Sequence, residues 1–166
     1  MNNGYSQQID SPQVVYEKPH NLFVAGFMGS PQMNFQEVVL KKDAEIVCIT
    51  FGPHTMKLPG NLAEEIENLG YLGKSVMMCI RPENIQETPV LGEALQDSVM
   101  EARVEVVERL GSETLLHVRA GETKWIARVG PGTTARAGDR IPLALDVNKI
   151  HLFDKETEKN ICFESL

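Results

Sequence analysis

Apolar residues in this chain come mostly in short bursts broken by glycine, proline or charged residues. From Met33 onward the bursts predict strands over Phe35–Leu40, Glu45–Phe51 and His54–Leu58, bounded by Lys41-Lys42-Asp43, Gly52-Pro53 and Pro59-Gly60. Leu62, Ile66 and Leu69 share one helical face, so Leu62–Leu69 is predicted as a helix. Asn61 is its expected cap, with Glu64 three residues on, and Gly70 its expected end. Val76–Ile80 is a further predicted strand, stopped by Pro82 and followed by a polar loop over 86–96. Four strands follow: Val99–Arg109, Glu113–Arg119, Lys124–Val129 and Ile141–Asp146. Ala102, Val104 and Val106 alternate with Arg103 and Glu105, the period of a half-buried strand. Gly111-Ser112 and Ala120-Gly121-Glu122 read as hairpin connections. Lys149–Phe153 is a last short strand, with Leu152 and Phe153 expected in the core, and Asp154–Asn160 is a charged turn or tail. No long helices alternate with these strands, which argues against a parallel α/β sheet. The pattern favours a mainly β fold: an OB-type small barrel with one short helix, preceded by a short helical segment.

That helical segment occupies the first thirty residues. Ser11 before Pro12 reads as a helix start, and Pro19 ends the helix Gln13–Lys18. Asn21–Phe27 has length for two more turns. Leu22, Phe23, Val24 and Phe27 need a surface to cover, because so small a helical pair has no core of its own. They must fold onto the barrel, self-associate or stay poorly ordered; dimerisation or disorder is the expectation.

Charge and composition narrow the partners. The net charge is -7. Nucleic-acid affinity comes largely from Lys and Arg on phosphates, so an acidic chain without a basic cluster argues against that partner. An OB-fold nucleic-acid binder also needs stacked aromatics, and aromatics are only 6% here. No apolar run approaches the roughly 20 residues that span a bilayer, and Met1–Asp10 lacks a signal-peptide pattern. Cys48, Cys79 and Cys162 are widely spaced and odd in number, as reduced cytosolic thiols are. His20, His54, His117 and His151 have no Cys or His at metal-ligand spacing, so no metal is expected.

Gly73-Lys74-Ser75 looks like the end of a phosphate-binding P-loop. The Gly that the motif requires five positions earlier is Asn68, and the segment follows a helix and opens a strand rather than the reverse. It is expected to be a helix cap at Gly70 and a tight turn at Gly73. His117 is expected to face solvent from its strand, and Ser112 has no identifiable His partner, so no catalytic residues are predicted.

Three stretches carry a resemblance. Residues 7–31, through Tyr16-Glu17-Lys18-Pro19 and Asn21-Leu22-Phe23-Val24-Ala25-Gly26-Phe27, resemble the junction after the ATPase domain in maltose-type sugar ABC importers. Ile80-Arg81-Pro82-Glu83 resembles that family's Arg-Pro-Glu signature; Cys79 stands where the family usually has Gly. Residues 107–114 and His151-Leu152-Phe153-Asp154 match its later motifs. The resemblance implies that 1–31 is the C-terminal remnant of a nucleotide-binding domain and 32–166 a regulatory OB/TOBE-type domain. It implies a tether holding an ATPase dimer together, with this chain itself, ABC permeases and a regulatory protein as partners, at the cytoplasmic face of the membrane. ATP and Mg would belong to the intact subunit and no cofactor to this chain, which is expected not to hydrolyse ATP. Arg81, Pro82, Glu83, Gly111, Ser112 and Glu113 are the expected interface or regulatory residues. Arg81 or Glu83 would pair across a strand or interface, or form only a surface ion pair worth at most about 1 kcal/mol. Residues 111–113 are a hairpin turn first and an interface second. The alternative function is a free-standing oxyanion or sugar sensor, whose site would need Arg119, Lys124, Arg128, Arg136 and Arg140 to converge.

Overall fold

The computed structural model describes residues 1–88 and 97–162. Two antiparallel five-stranded sheets make up most of it, in the orders β10-β4-β1-β2-β3 and β5-β9-β6-β7-β8. The first contains β1 (Asn34–Asp43), β2 (Ile46–Phe51), β3 (His54–Lys57), β4 (Ser75–Ile80) and, returning from the far end of the chain, β10 (His151–Phe153). The second contains β5 (Ile85–Glu87), β6 (Val99–Arg109), β7 (Thr114–Ala120), β8 (Thr123–Val129) and β9 (Arg140–Leu145). Its edge strands β5 and β8 come back into contact, so the sheet curls most of the way round a barrel. Both sheets share one core, with Leu40, Ile49 and Met78 from one side and Met100, Leu116, Trp125 and Leu143 from the other. Asn34 stitches the sheets together. Its amide donates to the Ile126 carbonyl at 2.9 Å and accepts from the Ile126 N–H at 2.7 Å, as a neighbouring strand would.

Helix α3 (Gly60–Asn68) buries Leu62 and Ile66, the predicted face. Pro59, rather than Asn61, holds the N-cap position, and no side-chain hydrogen bond closes it. Proline's fixed φ fits the extended N-cap conformation seen there, φ -58° and ψ 147°. The sequence reading missed β5, a three-residue strand inside the expected polar loop; residues 89–96 of that loop lie outside the described residues. The inward alternation of β6 stops early as well. The pairing with β7 shifts register between Val104 and Val106. A bulge there reverses the parity of the strand, so Val104 is buried while Val106 is 54% exposed.

The N-terminal segment forms α1 (Pro12–Glu17) and α2 (Leu22–Phe27). Ser11 caps the first, accepting from the Val14 N–H at 3.3 Å, and Asn21 caps the second, accepting from the Val24 N–H at 2.9 Å. The expectation of disorder is corrected here: the segment folds onto the first sheet. Ala25 is fully buried against Met33, Cys79 and Phe153. Backbone bonds clip it to the far end of the chain, Leu22 N–H to the Glu158 carbonyl at 3.0 Å and Asn160 N–H to the His20 carbonyl at 2.8 Å. The Asn160 side chain adds a bond to the Pro19 carbonyl at 2.9 Å. The sheet face round Cys79 and Phe153 supplies the apolar surface the helices lack. Their outer face stays open: Phe27 is 71% exposed and stacks on Phe23 at 5.9 Å.

Candidate functional site

Strand β4 ends at Ile80, and the next residue, Arg81, is buried where the two N-terminal helices meet the sheets. Pro82 opens a 3-10 turn, Pro82–Asn84, that fixes the directions of its neighbours. The Arg81 guanidinium donates to the Met28 carbonyl at 3.2 Å and to the Tyr16 carbonyl, and lies 3.3 Å from the centre of the Tyr16 ring. Glu83 accepts a hydrogen bond from the Tyr16 hydroxyl. Both predicted residues therefore act on one tyrosine of α1, and among the described residues neither forms an ion pair. Burial pushes the Arg81 pKa down. Burial, and then the bond to Glu83, pushes the Tyr16 phenol up, so the hydroxyl keeps its proton and donates.

Beside this joint lies a cavity of about 500 Å³, lined among others by Tyr16, Asn61, Arg81, Asn84, Lys149 and His151. His151 is buried, and its Nδ1 has no hydrogen-bond partner among the described residues. Desolvation, with the neighbouring positive charges of Arg81 and Lys149, lowers its pKa to about 4, so the ring is neutral at pH 7.

Gly111 and Ser112 sit exposed in the β6–β7 hairpin, with Gly111 at φ +89°, where a side chain would be strained. Leu110 N–H closes the turn on the Glu113 carbonyl at 2.9 Å. Glu113 lies 3.4 Å from Arg128, whose guanidinium also donates to the Ser30 carbonyl at 2.8 Å. Arg128 thus links the hairpin to the segment that Arg81 holds. This bridge uses an arginine the sensor reading needed. Arg119 is also committed, to Glu105 at 2.7 Å, while Lys124, Arg136 and Arg140 are exposed. His117 reaches Glu108 at 3.3 Å on the outside of the hairpin, a surface position as expected.

The P-loop look-alike does not fit a nucleotide. Gly73 N–H is taken by the Leu40 carbonyl at 2.7 Å and Lys74 N–H by the Tyr71 carbonyl at 3.1 Å, while the Lys74 ammonium sits over the Tyr71 ring. The amides that would cradle phosphate are already used. Among the described residues no group of three His, Cys, Asp or Glu is placed to hold a metal, and no helix is long and apolar enough to cross a membrane.

Sequence reasoning missed Tyr16 and His151 as site residues. Both lie inside stretches quoted for the family resemblance, Tyr16-Glu17-Lys18-Pro19 and His151-Leu152-Phe153-Asp154. The signal was that these distant motifs, with Arg81-Pro82-Glu83, meet at one place.

Comparison with known proteins gives the same picture. A family model for the MalK OB fold domain matches residues 29–85 and one for the TOBE domain matches 78–153. The chain is 38% identical over 162 residues to the trehalose/maltose import ATP-binding protein MalK of Thermococcus litoralis, covering 97% of this chain and 43% of that protein. It is 37% identical over 161 residues to the oligosaccharides import ATP-binding protein MsmX of Bacillus subtilis, again 97% and 43%. The multiple sugar-binding transport ATP-binding protein MsmK of Streptococcus mutans is 37% identical over 164 residues, 95% of this chain and 41% of that one. The chain thus spans less than half the length of these relatives. In fold alone it is similar to the cytoplasmic molybdate-binding protein ModG, with a TM-score of 0.56 and 14% identity over 72% of this chain and 94% of that one. The two matched domains and the relatives that cover nearly the whole chain place it in the TOBE and MalK OB-fold family, as the C-terminal part of sugar ABC importer ATP-binding proteins.

Proposed function

We propose that this chain is the regulatory and dimerisation domain of a carbohydrate importer's ATP-binding subunit, and that by itself it does not hydrolyse ATP. The observation that carries the reading is the two-sided N-terminal segment. Its inner face is held by Arg81, Glu83 and Phe153, while Phe27 and Ile9 remain 71% and 89% exposed on the outside. A nucleotide-binding domain, with permeases beyond it, would cover that outer face. Residues 1–31 would belong to that domain and 32–166 to the regulatory one. Two copies would meet through the β6–β7 hairpin, where Leu110 and Val106 stand exposed beside Gly111, Ser112 and Glu113. A permanent contact of this kind raises the effective concentration of two ATPase domains to the millimolar range, about that of a short flexible linker. Working at the inner face of the membrane, the same surface would receive a regulatory protein. Sedimentation equilibrium tests the tether: the chain should dimerise, and Leu110→Glu should return it to a monomer. A wild-type chain that stays monomeric, or a purified sample that turns over Mg-ATP, would end this reading.

A further inference from the structure

We propose that the cavity between α1 and the residue 147–151 turn is a binding site for a small phosphorylated sugar or polyol. It is a different place from the arginines of the β7–β8 hairpin, and it stands whether or not the chain dimerises. A cavity of about 500 Å³ is larger than inorganic phosphate needs and falls within the size range of small-molecule sites. Arg81 is a buried cation whose described partners are two backbone carbonyls and an aromatic ring; no described carboxylate is ion-paired with it. A guanidinium has five N–H donors, and Arg81 directs only two to those carbonyls. The Glu83 carboxylate accepts from the Tyr16 hydroxyl and also acts electrostatically on Arg81, which keeps its other donors for a ligand. Lys149 adds a second cation to the same wall, close enough to act electrostatically on His151. With Lys18, the lining sets three cations against the carboxylates of Glu17 and Glu83, a net positive wall for a phosphate monoester, which carries nearly two negative charges at neutral pH.

The rest of the lining suits hydroxyl groups. The side-chain amides of Asn61 and Asn84 make no hydrogen bond among the described residues. His151, in the same wall, is buried with an unpartnered Nδ1. The two free amides offer both donors and acceptors, as polyols require.

The test is an NMR titration of the isotope-labelled chain with glucose 6-phosphate, inorganic phosphate and glucose. Glucose 6-phosphate should saturate and shift the resonances of Arg81, Asn84, Lys149 and His151, at least tenfold more tightly than either other probe. Lys149→Gln, at an exposed position that leaves the core intact, should weaken it about threefold to tenfold, and Arg119→Gln should leave it unchanged. Inorganic phosphate binding as tightly would overturn the sugar part of the proposal, and glucose binding as tightly would overturn the anion part. Shifts mapping elsewhere, no saturation with any probe, or an unaffected Lys149→Gln would overturn the site itself.

Discussion

Phe153→Ala tests whether the N-terminal segment depends on the sheet beneath it. Phe153 is fully buried in β10 and packs with Ala25 of α2, Met33 and Cys79. Replacing a buried phenylalanine by alanine costs about 3–5 kcal/mol, part from lost transfer and part from the cavity left behind. A domain of this size is stable by about 5–15 kcal/mol, so the variant should still fold. Its melting temperature should drop by about 6–20 °C, at roughly 2–4 °C per kcal/mol. Urea unfolding followed by circular dichroism measures the loss. Amide exchange locates it, since the N–H groups of Leu22 and Asn160 close the clip between the segment and the far end of the chain. Both should lose protection more than the Leu116 and Trp125 region of the second sheet. Phe27→Ala is the control: on the exposed face it should change stability by less than about 0.5 kcal/mol. A loss below about 1 kcal/mol for Phe153→Ala, or unchanged protection at Leu22 and Asn160, would refute the packing argument.

Three further outcomes follow from the same contacts. Tyr16→Phe keeps the ring against Arg81 but takes the donor from Glu83, so thermal unfolding should show a loss of about 1.5–3 kcal/mol; an unchanged melt would refute it. Val104→Thr puts a hydroxyl in the core and should cost about 1–3 kcal/mol, whereas Val106→Thr, beyond the bulge, should stay within about 0.5 kcal/mol; equal costs in denaturant titration would mean the register shift is absent. Burial lowers the pKa of His151 in the folded state to about 4, from the ordinary imidazole value near 6.5. The unfolded chain therefore binds this proton first as pH falls, and stability should decline between about pH 6.5 and 4, by about 3 kcal/mol if the full shift is expressed. His151→Phe should flatten the profile in that window, and a parallel profile would exclude His151 as its source.

Most strands were legible because apolar bursts and turn residues bound them: the predicted Val99–Arg109 is β6 as observed. Periodicity could not show the bulge, since a register shift depends on what β7 offers opposite Glu105 rather than on β6 alone. Nor could it show β5, three residues long, which exists because β9 presents a free edge to Ile85–Glu87. Pairing of the two sheets by Asn34 was equally hidden, since one amide looks the same in a sequence whether it meets water or Ile126. For the candidate site, the resemblance pointed to Arg81, Pro82 and Glu83 without their partner. Tyr16 is 65 residues from Arg81, and no local pattern carries a contact of that span.

The joint explains how six-residue helices persist at all. Isolated helices of that length are unstable in water, so α1 and α2 exist only while their inner faces are held. Arg81, Glu83 and Asn160 hold α1 and the linker, and Phe153 and Cys79 hold α2. The stacked pair of half-buried Phe23 and exposed Phe27 therefore has a defined shape only through contacts on the opposite side of the same helix. Arg81 connects the two helices, since it holds the Met28 carbonyl at the end of α2 as well as Tyr16 of α1; a partner on the aromatic pair should therefore also stabilise the Arg81 joint, and by reciprocity a ligand in the adjoining cavity should favour that partner.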